Sequence, residues 1–365
     1  MHWTFPWVHY SGRVSCVSTV SNRGPAQPGP RAIAPGALGM VLVGSSVAVS
    51  ATLTTAPLLM AQAIRYSIAA VVLVALARWR RVPITMPRGR EWLWLAGIAA
   101  TGLVLFNIAV VRGVAHAQPA MIAVAVACAP VVLGVLGPLL QGQVPQRKIV
   151  VAAIVVTMGA VLVEGAGHGD LAGIAWAVVA LATEAAFTLL AVPVLGRHGA
   201  WGVSVHSVWL GAAMFTVLAL ITEGPAAAAR LSTAELGAIA YLAAGVTVVA
   251  FVLWYSTVAA LGPGRVGLLT GIAPVAAALT GIVTGSRAPS PVMWAGIGVV
   301  LAGLGVGLIG APNRGETHRQ SRSRTRRRSR RHDLGLPTCH DKLRLADSQA
   351  DAGPGEQHDG RQLQR

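Results

Sequence analysis

Glu184 is the residue whose type and position in this sequence most favour chemistry. It stands inside the apolar stretch Ala180-Leu-Ala-Thr-Glu-Ala-Ala-Phe187, next to Thr183. An acidic side chain at the depth of a lipid bilayer costs several kcal/mol if it faces lipid, so it should face a cavity or a partner. Three roles stay open for Glu184: exchange of a proton, contact with a cationic group of a solute, or a purely structural contact between helices.

The other polar or unusual residues occur singly in apolar surroundings. Asn107 is one of them, and Arg65 is another. We expect Arg65 to be structural, either by holding carbonyl groups or by reaching the external interface. Pro130 and Pro274 each remove a helix hydrogen bond and therefore predict bends, which would serve either as hinges or as fixed kinks.

No enzyme signature is present in the sequence. The chain has no P-loop for ATP, no HExxH or GxSxG motif and no paired-carboxylate catalytic site. Its three cysteines, Cys16, Cys128 and Cys339, lie far apart and lack the spacing of metal ligands. We therefore expect a protein that is not an enzyme and that uses no metal, ATP or other cofactor.

The composition places these residues in a membrane. The chain is 54% hydrophobic and 12% charged, with a mean hydropathy of +0.62. Apolar stretches of about 20 residues match the hydrocarbon core of a bilayer, and continuous stretches are unlike the alternating strands of a barrel. The sequence predicts an all-α integral membrane protein with ten transmembrane helices, at 36–55, 57–77, 92–112, 119–140, 149–163, 171–195, 201–221, 234–257, 264–285 and 292–310.

The ten stretches form two halves, 36–163 and 171–310, related by a shift of 144 residues that places Pro130 on Pro274. Each half holds five stretches, and because five is odd the second half must enter the bilayer from the opposite side. Two inverted five-helix repeats are typical of secondary transporters that work by alternating access. The repeat predicts such a transporter by analogy of architecture.

The repeat also predicts contacts. Glu184 of the sixth stretch corresponds roughly to Ser45 of the first, so the two should approach each other across the pseudo-twofold axis. Small residues four apart let helices pack closely, and such pairs occur at Gly267 and Gly271, Gly281 and Gly285, and Gly303 and Gly307. They pack either the two halves against each other or two protomers of a homodimer.

The distribution of charge predicts the orientation. Thirteen of the 29 basic residues lie beyond Ala311, and a further cluster runs from Arg78 to Arg90. The loop from Glu164 to Asp170, by contrast, is acidic. The positive-inside rule then places both termini in the cytoplasm and the chain in the cytoplasmic membrane.

Two polar segments flank the apolar part. The composition of residues 1–35 predicts a disordered N-terminal arm. The alternative is that these residues lie upstream of the real translation start. Residues 312–365 predict an Arg-rich disordered cytoplasmic tail. The tail would contact anionic membrane lipid, bind nucleic acid or another polyanion, or reflect a reading-frame artefact. We favour lipid over nucleic acid as its partner.

Two motifs stand out: the segment Ala56-Pro-Leu-Leu-Met-Ala-Gln-Ala-Ile-Arg-Tyr66 in the second stretch, and Tyr255 nineteen residues before Pro274 in the eighth and ninth. On these motifs the sequence resembles the drug/metabolite transporter superfamily, in particular the bacterial EamA-type permeases, over residues 36–310, since they are similar to the opening of that family's second helix and to its eighth and ninth helices. The family often has a glutamate at the ends of helices four and nine. Gln141 and Gly285 stand there instead.

The resemblance implies a permease for small organic solutes with a central cavity between helices 1, 3, 4, 6, 8 and 9. Phe106, Asn107, Trp254 and Tyr255 would line that cavity, the aromatic rings serving either as walls or as packing. We expect import or export of a small-molecule substrate, either coupled to protons through Glu184 or by facilitated diffusion. The alternative function is a membrane scaffold or sensor that acts through its basic tail.

Overall fold

The computed structural model describes residues 30–309 apart from 166, 286, 287 and 289. The segments 1–29 and 310–365, which hold most of the predicted arm and the whole predicted tail, lie outside that part of the chain. Within it the regular elements are helices, joined in one place by an isolated antiparallel bridge between Ala117 and Gly169. The prediction of an all-helical protein is confirmed.

Ten long helical segments account for most of the described residues. In chain order they are α1 Pro30–Ser50, α2 Leu58–Trp79, α3 Glu91–Val114, α4 Pro119–Leu140, α5 Arg147–Glu164, α6 Leu171–Leu189, α7 Val192–Thr222, α8 Thr233–Leu261, α9 Pro263–Val283 and α10 Pro291–Leu308. Nine of these, all except α5, are long and apolar enough to cross a membrane. α5 lies where the fifth span is predicted, but its 18 residues include Arg147, Lys148 and Glu164.

Two helix boundaries differ from the sequence prediction. α1 begins at Pro30, six residues before the predicted start of the first span. α6 ends at Leu189, and α7 begins at Val192 with a kink at Gly199, where φ is 63°. Pro193 favours the first turn of a helix, and glycine adopts the left-handed conformation without steric cost. Leu190 and Ala191 keep helical backbone angles, so the helical path is interrupted at Gly199, between the predicted spans 171–195 and 201–221.

Irregular helix segments recur about 144 positions apart in the chain. α3 contains a π-helical segment at Ile98–Leu105, and α8 contains one at Leu242–Ala250, which begins 144 positions later. π-helical segments are rare, and many lie at functional sites. A matching segment in each half is therefore a specific feature shared by α3 and α8.

The helices pack in pairs that cross the two halves. α5 lies along α10, α2 along α7, and α4 against α9; α1 packs on α8 and α9, while α6 packs on α3 and α4. Glycine permits the closest of these approaches. A Cβ atom added at Gly159 of α5 would lie 2.6 Å from the Val300 nitrogen of α10, and one added at Gly296 would lie 2.8 Å from the Gly159 oxygen. The α5 and α10 backbones are therefore almost in contact.

Charge differs between the two ends of the bundle. We call the end that holds the α2–α3, α4–α5, α6–α7 and α8–α9 connections the basic end, because its described residues include Arg31, Arg78, Arg80, Arg81, Arg88, Arg90, Arg147, Lys148, Arg197 and Arg265. The opposite end, the acidic end, holds Glu164, Asp170, Glu223 and Glu235 with two basic residues, Arg112 and Arg230, whereas the basic end has one acid, Glu91, among its described residues.

The loops at the acidic end are tied together. The Gln118 nitrogen donates to the His168 oxygen over 2.9 Å, and the Asp170 nitrogen donates to the His116 oxygen over 3.1 Å. The Asp170 carboxyl caps the start of α6 by accepting from the Gly173 N–H, and this bond and the one to the His116 ring hold its pKa below the usual range. The α3–α4 and α5–α6 loops are therefore fixed to each other.

Candidate functional site

Glu184 lies in the basic-end half of α6. It follows Leu171, the first residue of the helix, by thirteen positions and precedes Leu189, the last, by five. Its side chain is partly buried, and within the described part of the chain it forms no ion pair or hydrogen bond. A carboxyl group without a partner inside a membrane helix needs a proton, a cation or water to compensate its charge.

A group of side chains from α6 and α8, which we call the aromatic barrier, lies one turn from Glu184 toward the basic end. Its members are Phe187, Thr188, Phe251, Trp254 and Tyr255. The Phe187 ring lies 5.0 Å from that of Phe251 and 5.2 Å from that of Tyr255. The Trp254 Nε1 donates to the Thr188 hydroxyl over 3.1 Å, and the Tyr255 hydroxyl donates to the Phe187 oxygen over 3.4 Å.

The aromatic barrier is closed. Trp254 is 2% and Tyr255 0% exposed, so neither lines a space open to solvent in this conformation. The predicted aromatic wall is therefore packed interior here, and it lies between Glu184 and the basic end.

A second group of polar side chains, which we call the Arg65 cluster, joins α2, α3 and α8. The Arg65 Nε donates to the Thr247 hydroxyl over 3.0 Å, and its Nη1 donates to the Gln62 oxygen over 3.5 Å. The Gln62 amide in turn donates to the Asn107 oxygen over 3.1 Å. Thr247 is the middle residue of α8. The guanidinium group is therefore held near the middle of the bundle.

Tyrosines connect the two groups. Tyr66 stacks on Phe215 of α7 at 5.3 Å and lies close to the Asn107 side chain. The Tyr255 hydroxyl lies within electrostatic reach of both the Tyr66 hydroxyl and Glu184. Arg65 and Glu184 both lie within helices of the bundle, and no direct bond joins them among the described residues.

The structure does not bring all the predicted site residues together. Phe106 packs into a separate apolar cluster with Ala109, Ile122, Ala177 and Ala180. The Thr183 hydroxyl donates to oxygens of its own helix at Val179 and Ala180, and the Ser45 hydroxyl does the same to Leu42. Threonine and serine hydroxyls commonly satisfy themselves in this way within helices.

The two predicted hinge prolines follow interruptions of the helix. α4 is broken at Ala127–Cys128, and Pro130 lies in the first turn of the segment that follows. α9 contains a 3₁₀ segment at Gly267–Gly271, and Pro274 lies in the first turn after it. Proline is tolerated in a first turn, where its missing N–H leaves no hydrogen bond unmade. Pro130 and Pro274, which follow these interruptions, lie 144 positions apart.

Sequence reasoning did not single out Gln62, Tyr66 or Thr247. Gln62 and Arg65 are three residues apart in α2, a spacing that places both on one face of the helix. That spacing was a usable signal for the Arg65 cluster. Thr247 had no such signal, because its contact with Arg65 spans 182 positions of the sequence.

An all-helical bundle of apolar helices, whose few polar groups are gathered in its interior, defines a multi-pass membrane protein with an internal polar site. Residues 32–165 match the EamA-like transporter family. This match confirms the resemblance to the EamA-type permeases that the motifs indicated, and together with the relatives described below it supports a membrane transporter.

Two relatives carry descriptions that agree with this family. The chain is 27% identical over 281 residues to an uncharacterized transporter, YetK, of Bacillus subtilis, which covers 75% of this chain and 85% of that protein. It is 24% identical over 224 residues to a probable terminal-alkyne amino-acid exporter of Streptantibioticus cattleyicolor, which covers 60% of this chain and 74% of that protein. Both relatives are described as transporters rather than enzymes.

The fold also has a counterpart among solved structures. A protein crystal structure superposes with a TM-score of 0.66 at 20% identity, covering 76% of this chain and 98% of the other. At this identity the likeness concerns the fold alone.

Proposed function

We propose that this chain is a secondary carrier of small organic solutes in the cytoplasmic membrane, built from two inverted five-helix halves that work by alternating access. The observation that carries the proposal is the pattern of helix pairs. The contacts of α1 with α8 and α9 become those of α6 with α3 and α4 when every helix is replaced by its equivalent in the other half. Two equivalent bundles that exchange roles at the two membrane faces are the basis of alternating access.

The irregular segments support the same proposal. The π-helical segments in α3 and α8 and the breaks before Pro130 and Pro274 recur at matching places. Bends in the same place of both halves would let each half adopt the other's conformation. On this proposal Pro130 and Pro274 mark hinges.

The orientation follows from the charged ends. Because basic loops remain on the cytoplasmic side, the basic end would face the cytoplasm and the acidic end the exterior. α5 would then cross the membrane as the fifth of ten spans, with Arg147 and Lys148 at the cytoplasmic interface and Glu164 at the external one. Both termini would be cytoplasmic.

Glu184 and the Arg65 cluster would form the substrate site, above a barrier that is closed toward the cytoplasm. The carboxyl group would either exchange a proton during the cycle or bind a cationic group of the solute. The second role agrees with an amino-acid substrate, the class named for the relative from Streptantibioticus cattleyicolor. Arg65 could then hold the carboxylate and Glu184 the ammonium group.

Counterflow in proteoliposomes tests this proposal. The purified full chain is reconstituted with an unlabelled amino-acid mixture inside, and each labelled amino acid is added outside in trace amount. A carrier should accumulate at least one of them transiently, whereas protein-free liposomes should not. If no labelled amino acid enters liposomes that hold folded protein, this substrate class is wrong.

The rival function, a scaffold or sensor that acts through the basic tail, is tested in the same assay. A chain that lacks residues 312–365 should keep most of its counterflow if the helical bundle is the carrier. The scaffold or sensor function would be favoured by a different result: the isolated tail binds a partner fully, and neither the full chain nor the truncated chain shows counterflow.

A further inference from the structure

Two glutamates occupy equivalent positions at opposite ends of the bundle. Glu91 begins α3 and Glu235 lies in the first turn of α8, 144 positions later. Each accepts a hydrogen bond from the backbone N–H three residues earlier: Glu91 from Arg88 over 2.8 Å, and Glu235 from Ser232 over 2.7 Å. Glu235 completes a capping box with Ser232 at the start of α8, and Glu91 fixes the turn that leads into α3; each of these helices contains a π-helical segment.

Each glutamate also reaches across to the other half of the chain. At the basic end, Glu91 accepts hydrogen bonds from Arg197 and from the His198 ring, both in the short stretch of α7 before the kink at Gly199. At the acidic end, Glu235 accepts a hydrogen bond from the Thr55 hydroxyl, in the connection between α1 and α2. The connections from the first to the second helix of each half are thus held by the glutamate of the opposite half.

The two contacts differ in strength. Around Glu91, the Arg197 group also donates to the Met86 oxygen over 3.2 Å, and the His198 ring contacts the Thr85 hydroxyl at 3.0 Å. Glu235 has a single neutral donor from the other half, at 3.4 Å. Hydrogen bonds between charged partners are about twice as strong as neutral ones. The tie at the basic end is therefore the firmer of the two.

We propose that Glu91 with Arg197 and His198, and Glu235 with Thr55, are a pair of gate latches that close the two mouths of the carrier and set how often each mouth opens. This inference rests on the proposed alternating access and assigns the residues that control it. Opening a mouth must separate the α3 or α8 end from the connection it holds. A broken latch destabilises only the states in which that mouth is closed.

Because the two latches differ in strength, the unmodified protein should prefer to open at one end of the bundle. A conformational equilibrium shifts by the difference in free energy between its states. Because the Glu235 latch is weaker, it opposes opening at the acidic end less than the Glu91 latch opposes opening at the basic end. Breaking the Glu91 latch should reverse or abolish this preference, and breaking the Glu235 latch should increase it.

Side-specific cysteine labelling tests the latches. The three native cysteines are replaced, and Ser45→Cys or, separately, Glu184→Cys reports on the centre of the bundle. A membrane-impermeant maleimide is applied to right-side-out and to inside-out vesicles. The measured quantity is the ratio of the labelling rate from the basic end to that from the acidic end.

Two variants break one latch each and leave the helix caps intact. Arg197→Gln should raise the ratio about fivefold, the upper end for a half-exposed ion pair, while Arg197→Lys should keep most of the original ratio. Thr55→Val should lower the ratio by about twofold, as expected for one weak neutral hydrogen bond. A merely structural role would lower the melting temperature of both variants and leave the ratio unchanged.

The possible outcomes distinguish a failure of the gate-latch proposal from a failure of the proposed alternating access. Opposite shifts of the ratio in the two variants support the latches. If the reporters react from both ends in the parent protein but neither variant shifts the ratio, the latches are wrong and alternating access stands. If no reporter ever reacts from more than one end, the proposed alternating access itself is wrong.

Discussion

Glu184 combines two properties that rarely occur together, a charge-bearing group in a membrane helix and the lack of a protein partner within the described residues. A structural glutamate would be expected to end in a hydrogen bond, as Glu223 does by accepting from the Leu59 and Met60 nitrogens over 2.9 and 2.8 Å. The contrast favours a carboxyl group that is kept available for a proton or a solute.

Glu184→Gln distinguishes these roles, because glutamine keeps the size and one accepting oxygen but cannot exchange a proton. If Glu184 couples proton flow, the variant should bind and exchange solute yet lose accumulation driven by a pH gradient. If it binds a cationic group, affinity should fall by about 1.5–3 kcal/mol, as for a charged hydrogen bond. Unchanged counterflow, affinity and pH dependence in proteoliposomes would refute both roles.

Arg65 differs from Glu184 because its side chain has protein partners. Its guanidinium group bridges two helices, α2 and α8. Arg65→Lys replaces a planar group with several donors by a single ammonium that cannot hold Thr247 and Gln62 in the same geometry. We expect a loss of about 1–2 kcal/mol of stability, measured as a lower melting temperature in detergent. Arg78→Lys, on the exposed last turn of the same helix, is the control and should melt like the parent. Equal melting of both variants would exclude the bridging role.

At the scale of helices, the sequence located the spans well because the length of an apolar stretch is a local property. The charged ends of α5 were the hardest boundaries, since they depend on neighbouring helices, whereas the break at Gly199 lies between the predicted sixth and seventh spans. The groups of contacting side chains were harder to predict from the sequence. Phe106 and Tyr255 were expected on one cavity, but Phe106 packs in a separate cluster, and nothing in a single sequence distinguishes these two aromatic residues.

The repeat itself held an unused signal. Glu91 and Glu235 are 144 positions apart, but both were counted only as charges near span ends. Their shared role depends on the Arg197, His198 and Thr55 contacts, each more than 100 positions away in sequence. Long-range pairing of this kind requires the structure.

The α5–α10 contact provides a test at this scale. Gly296→Ala places a Cβ atom 2.8 Å from the Gly159 oxygen, so the two helices must move apart. We expect a loss of about 1–3 kcal/mol of stability from overpacking. Gly298→Ala, two residues along α10 and with nothing within 4 Å of its added Cβ atom, should be neutral or slightly stabilising because alanine favours helix. Thermal unfolding in detergent compares them, and a more stable Gly296→Ala variant would contradict the close packing.

At the scale of the whole molecule, the unequal charge of the two ends predicts which end faces the cytoplasm. With the native cysteines replaced, His168→Cys in the acidic-end loop should react with an impermeant maleimide in intact cells. Met86→Cys, 68% exposed at the basic end, should react only after the cells are opened. The reverse pattern would invert the proposed orientation and place both termini outside.

The most direct test of alternating access is the labelling of one central position from both faces of the membrane. In vesicles of either orientation, Ser45→Cys should react with an impermeant maleimide, faster from the acidic end, because the aromatic barrier closes the other route. Val47→Cys, 59% exposed on the outer surface of α1, should react from neither side. Labelling of Ser45→Cys and Glu184→Cys from one face only, under all conditions, would contradict a carrier that works by alternating access.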